Sequence, residues 1–224
     1  LVWCARRFAP DADERPPASG RRTVRGRGRA GLSRVELLLG VLTFSSSLAE
    51  GAANDWLALV LVDERGAPEA LGALTFAAFN VAMTVGRLGG GGAIRRTGRA
   101  PVLRAAATVA IVGVVLVAVV PSLAAAVAGG ILWGLGVSVA FPAAMSAAGE
   151  VPERGPHAIG VVSTIGYTGF LAGAPTIGLL AEDVGLDQAL LVVAGVLLLI
   201  VVLAGTARER VPADAADGPQ LPSR

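Results

Sequence analysis

Six long apolar stretches divide this chain, at residues 36–62, 69–88, 101–120, 122–148, 157–181 and 186–205. Each can cross a hydrocarbon layer of ~30 Å, which takes ~20 helical residues. Short connections join them, so consecutive helices are predicted to run antiparallel. The second connection, Gly86 to Arg104, reads GRLGGGGAIRRTGRAPVLR. Its glycine run and its arginines interrupt the apolar pattern and predict a polar loop. Ahead of the first helix, residues 11–34 are rich in Pro, Gly and Arg without apolar periodicity and read as a flexible linker. Leu1 to Ala5, followed by Arg6 and Arg7, fits either the last turn of a preceding helix or a disordered tail. The chain therefore divides into a linker (1–35), a six-helix domain (36–205) and a tail (206–224).

Composition turns these helices into membrane spans. With 54% hydrophobic and 16% charged residues, and a mean hydropathy of +0.66, the chain is too apolar for an ordinary soluble domain. All 19 basic residues are arginines, and arginine in short loops resists translocation. With the Gly86–Arg104 connection placed in the cytoplasm, alternation puts every arginine but Arg65 on that side, while Asp63, Glu64, Glu69, Glu182, Asp183 and Asp187 fall outside. The expected protein is a multi-pass component of the cell (plasma or inner) membrane with both termini cytoplasmic, its loop arginines holding helix ends and touching anionic lipid. Arginines set beside apolar runs rather than on a solvated domain exclude a nucleic-acid partner.

The rest of the inventory is sparse. A single cysteine, Cys4, excludes an internal disulfide. His157 and the scattered acids have no metal-ligand spacing, and nothing calls for a cofactor. Gly89 to Gly92 lack the Lys-Ser/Thr and the strand-then-helix setting of a phosphate loop. No secretory signal is visible, and the first residue is leucine, so the sequence reads as starting inside a longer polypeptide.

The arginine-rich connection resembles a loop motif of the major facilitator superfamily (MFS) of transporters, roughly G, x, x, x, D, R, x, x, x, R, x, G, R. Gly86, Arg87, Gly90, Arg96, Gly98 and Arg99 fall on matching positions, with Arg95 beside them, while Gly91 stands at the acidic position and Gly92 at the basic one that follows. EGAANDW in the first helix, GLGVSVAFPAAMSAAG in the fourth and VSTIGYTGFLAGAPTIGLLAE in the fifth are similar to a bacterial branch of sugar-permease-like and uncharacterised members. The resemblance implies an all-α membrane protein whose six transmembrane helices form two inverted three-helix repeats, the carboxyl-terminal half of an MFS fold. It also implies an ionic lock at the motif's acid, a position that here carries no acid.

Among individual residues, Glu50 stands out. A helix over 36–62 puts it about 20 Å from each end, where a charged carboxylate costs ~2.5–3.5 kcal/mol. Thr43, Ser47, Glu50 and Asn54 share one narrow helical stripe with Ser46 at its edge, a polar seam that would line a central cavity. Glu50 would then exchange a proton as the cavity opens to each side. Its structural alternative is a neutral carboxyl bonding two helices together. Asp55, off the stripe, fits either the outer pathway or an interfacial acid beside Trp56. Asn80, with Thr84 one turn on, and Ser163, Thr164 and Tyr167 can contact a polar solute or bond helix to helix. Trp133 and Phe141 read as core or lipid-facing side chains. Gly130 and Gly134, and Gly169 and Gly173, repeat at four residues and let helix backbones approach, while Pro142 and Pro175 bend their helices.

These features predict a secondary active transporter of a small solute, sugar-like or drug-like, working by alternating access with protons coupled through Glu50. Six helices alone would leave the polar seam against lipid. A partner must cover it, either an amino-terminal MFS half or a second copy of the chain. A truncated membrane protein or scaffold that transports nothing would share the same composition. A membrane enzyme is excluded by the lack of a nucleophile with its base, of a metal cluster and of paired catalytic carboxylates.

Overall fold

The computed structural model describes residues 31–208. The expectations for 1–30 and 209–224, including the helix stub at Leu1 to Ala5, lie outside the described residues. Among the described residues, six helices are long and apolar enough to cross a membrane. They comprise α1 (Arg34–Leu59, extended by a π-helical turn, Val60–Glu64), α2 (Glu69–Thr97), α3 (Arg99–Val119), a fourth span divided into α4 (Leu123–Val137) and α5 (Ala140–Gly149), α6 (Gly155–Val184) and α7 (Leu186–Leu203, closed by a 3-10 turn, Ala204–Ala207).

The spans form two repeats of three helices with the same local grammar. The first helix of each starts on a serine cap: the Ser33 hydroxyl accepts from the Glu36 amide, and the Ser122 hydroxyl accepts from the Ala125 amide. Each cap satisfies an amide that would otherwise be orphaned at the helix start. Glu36 bonds back to the Ser33 amide at 2.8 Å, completing a capping box. The second and third helices of each repeat meet at one glycine, Gly98 (φ 85°, ψ 162°) and Gly185 (φ 85°, ψ 155°). That region of backbone space is essentially closed to residues with a Cβ. The first helix of each repeat packs against the second helix of the other, α1 on α6 and α4 on α2. Accordingly the first and fourth spans are the most buried and the second and fifth the least. This exchange of partners is the inverted-repeat arrangement of half a facilitator fold. Replacing Gly98 or Gly185 with alanine should cost about 1–3 kcal/mol, read as a lowered melting temperature in detergent, whereas Gly195→Ala, inside a helix where a Cβ meets nothing within 4 Å, should not lower it.

Two sequence expectations need correction. The Gly86–Arg104 segment is not a loop: α2 continues through Thr97, and α3 starts at Arg99 after the single residue Gly98. Each glycine in the run lowers helix propensity by about 1 kcal/mol relative to alanine, but packing overrides this. A Cβ on Gly86 would overlap the Ser138 hydroxyl, and one on Gly90 would lie 2.7 Å from Val139 Cγ1. These two glycines, one turn apart, let α2 press on the α4–α5 junction. Arg95 and Arg96 sit in its last turn, where cations suit the helix dipole. Second, the fourth span is not one continuous helix but breaks at Ser138 and Val139. Pro142 has no amide to give the Ser138 carbonyl, and its ring crowds that carbonyl. The other spans keep their expected places within a few residues.

Candidate functional site

Beside the α4–α5 break lies a cavity of about 570 Å³, lined by Ser47, Glu50, Arg87, Phe141, Pro142, Tyr167 and Phe170. Four helices contribute. From α1, helical phase brings Ser47 and Glu50 to the same side. From α2, the uninterrupted helix brings Arg87, about 15 Å before its end at Thr97. The break at Ser138 and Val139 turns α5 so that Phe141 and Pro142 form one wall, and α6 adds Tyr167 and Phe170. The Phe141 and Tyr167 rings lie 6.1 Å apart at a tilt of 51°.

In the cavity lining, Arg87 Nη2 donates to both carboxylate oxygens of Glu50 at 3.4 Å and lies 3.3 Å from Met83 Sδ. These bonds are longer than the usual 2.7–3.2 Å for N–H···O, so the pair is held by charge more than by tight hydrogen bonds. Its two members are unequally sheltered, Glu50 being 22% exposed and Arg87 49%. Sequence reasoning missed Arg87 as a cavity residue because it counted Arg87 among loop cations. The signal was available: Asn80, Thr84 and Arg87, at spacings of four and three, share one stripe of α2.

The other predicted residues disperse. Asn54 is half-buried and Asp55 exposed, and neither lines the cavity. Thr43 and Ser46, from the same seam, turn to neighbouring helices: Thr43 donates to the Val162 carbonyl at 3.0 Å and Ser46 to the Val137 carbonyl at 3.2 Å. The Asn80 amide donates to the Phe76 carbonyl one turn back. Ser163 and Thr164 do not join Tyr167 at the cavity. Their hydroxyls bond carbonyls of their own helix, a common local bond for serine and threonine in helices, and Thr164 lines a separate depression with His157. Trp56, expected at the interface, donates to the Ala174 carbonyl of α6 at 3.2 Å. Trp133 is fully buried, edge-on to Phe79.

Close backbone packing fixes the walls. A Cβ on Gly134 would overlap the Phe79 carbonyl, one on Gly169 would overlap the Phe44 carbonyl, and one on Gly173 would lie 2.8 Å from the Leu48 carbonyl oxygen. Gly130 faces the Thr75 and Leu57 side chains. Ion pairs hold both ends of the bundle. At the arginine-rich end, buried Arg99 reaches Glu150 with both terminal guanidinium nitrogens, Nη1 at 2.6 Å from Oε2, and also Ser146. Arg154 pairs with Glu36 at 2.9 Å. These pairs tie α3 to the end of α5 and the start of α6 to α1, without an acid at position 91, where a Cβ would face the Arg95 guanidinium at 3.6 Å. At the opposite end, Arg65 pairs with Asp187 at 2.8 Å and donates to the Val117 and Ala118 carbonyls at 2.8 and 3.2 Å. The outlying arginine thus caps α3 and ties it to α7.

The model of the Major Facilitator Superfamily matches residues 39–223, most of the chain. The chain belongs to this superfamily. Among its relatives, an uncharacterized MFS-type transporter of Yersinia pestis is 35% identical, over 77% of this chain and 44% of its own length. The membrane protein MosC of Rhizobium meliloti is 33% identical, over 71% of this chain and 40% of its own. An uncharacterized transporter of Sinorhizobium fredii is 34% identical, over 75% and 45%. This MFS chain therefore spans less than half the length of the curated relatives it matches. It is a multi-pass membrane protein of a transporter family, and its helices form half of the MFS fold.

Proposed function

We propose that the chain moves a small solute across the inner membrane by alternating access, with proton coupling through Glu50, and that a second six-helix bundle completes its cavity. The observation carrying this reading is the Glu50–Arg87 pair, set in a half-open cavity about 20 Å or more from either end of the first span, Arg34–Glu64. A charge there costs ~2.5–3.5 kcal/mol against lipid, so the pair needs cover and a water-filled approach. A cavity of this size suits a small solute. Relatives more than twice as long as the matched region favour a covalently joined half over a second copy as the cover. The arginine-rich end is cytoplasmic in this reading; moving Arg87 out of the loop keeps the bias, because Arg65 alone among the described arginines lies at the other end.

Proteoliposomes holding the assembled transporter and an entrapped pH dye test it. A panel of sugars, organic acids and amines, added one at a time, should yield at least one solute that moves protons with itself and accumulates down an imposed proton gradient. Protonophore-insensitive entry of every transported solute, or no transport from the whole panel, would overturn the reading.

A further inference from the structure

The cavity presents its two charges unequally, and that inequality points to what it receives. Glu50 is the more sheltered, and both of its oxygens face one nitrogen of Arg87. Arg87 is half exposed, and among the described residues its Nε and Nη1 have no partner. Nη2 forms a planar fork with Nε on one side and with Nη1 on the other, so once Glu50 releases Nη2 either fork matches the two oxygens of an incoming carboxylate. The walls opposite are aromatic, with Phe141, Tyr167 and Phe170 around the pair. Other titratable groups are scarce: α6 contributes the Tyr167 phenol, α5 contributes Phe141 and Pro142, and α1 adds Ser47.

Building on the transport reading above, we propose that the solute is an organic anion carrying one carboxylate on an apolar or ring-shaped body, that Arg87 binds the carboxylate, and that Glu50 is the internal anion it displaces. Glu50 holds Arg87 while the site is empty. When the solute enters, its carboxylate takes the fork that Nη2 makes with Nε or Nη1, and a hydronium ion gives its proton to the Glu50 carboxylate, leaving water and the neutral acid. No covalent bond other than that O–H is made. The empty site (Glu50 ionised, Arg87 charged) and the loaded site (Glu50 neutral, Arg87 paired with the solute) are both electrically neutral. Each half-loaded state carries a net charge: positive when Glu50 is protonated without solute, negative when solute binds without the proton. Net charge is costly at this depth, so only the two neutral states cross readily, and one proton accompanies one anion. An amine bound at Glu50 would instead have to compete with Arg87 for the better-sheltered member of the pair.

The test measures equilibrium binding of radiolabelled benzoate to the purified assembled transporter, with benzyl alcohol and benzylamine as competitors of the same ring size. Benzoate should bind, and neither competitor should displace it at equal concentration. Its affinity should rise about tenfold for each unit that pH falls, while Glu50 is ionised in the empty site and benzoate stays ionised. In Glu50→Gln that pH dependence should vanish while benzoate still binds. Arg87→Lys, which keeps the charge and loses the fork, should weaken binding at least about tenfold, and Arg87→Gln should abolish it. Absent benzoate binding, displacement by benzylamine or benzyl alcohol, a pH slope that survives Glu50→Gln, or full affinity in Arg87→Lys would each overturn the assignment. Binding that follows Arg87 in a protein that moves no protons with any solute would leave the anion site standing and bring down the coupling.

Discussion

Glu50→Gln should abolish proton-driven accumulation while leaving the protein folded. Glutamine matches glutamate in shape but cannot gain or lose a proton, and it leaves Arg87 facing an amide oxygen rather than a carboxylate. Folding should tolerate the exchange, because the contacts given up are long ones of 3.4 Å and Arg87 is half exposed. Transport should respond much more strongly. If Glu50 carries the coupled proton as proposed, removing it removes the driving force, so steady-state accumulation should fall to the equilibrium ratio set by the solute's own gradient. Exchange of labelled solute across the membrane, which needs no net proton movement, should persist. Loss of both accumulation and exchange, together with an unchanged melting temperature, would assign Glu50 to solute binding in place of coupling.

The second large effect is expected on stability. Gly134→Leu should dismantle the bundle, because the first carbon of any side chain there would meet the Phe79 carbonyl of α2 and its ring edge. Backbone cannot swing aside as a flexible side chain can, so α2 and α4 would have to separate. Overpacking in ordinary cores costs ~1–3 kcal/mol, and a clash against the α2 backbone itself should exceed that range. Gly169→Leu should behave alike through Phe44 on α1, the matching interface of the other repeat. Gly160→Leu is the control, since nothing lies within 4 Å of a Cβ there. Yield of monodisperse protein and its thermal midpoint in detergent measure all three; wild-type stability in Gly134→Leu would contradict the packing described.

Much of this architecture could be read from the chain before any coordinates. The spans were legible because nothing but a bilayer suits six apolar runs of that length, and Glu50 because an acid in the middle of one demands an explanation. What escaped was where packing opposes propensity. Gly89 to Gly92 read as a loop by local preference, yet Gly86 and Gly90 earn their place by fitting against Ser138 and Val139. Once the segment is helical, Arg87 moves from a membrane-surface motif to the cavity, and its phase with Asn80 and Thr84 becomes meaningful. The hydroxyls of Ser163 and Thr164 misled for the opposite reason. Bonds to their own helix carbonyls satisfy them locally, so polarity within a span did not by itself mark the lining of this cavity. The break near Pro142 was foreseeable as a bend, but a sequence does not show that it would set Phe141 against Tyr167.

The most direct check on the whole account is the water accessibility of position 50. In the assembled transporter, with Cys4 replaced by serine and a cysteine placed at Glu50, a membrane-impermeant thiol reagent should label from one side in the resting state. Under conditions that drive the cavity open the other way, labelling should come from the opposite side. A cysteine at 50 that resists aqueous reagent from both sides in every state, in a protein that still binds its solute, would contradict the claim that this carboxylate faces a path for water and protons.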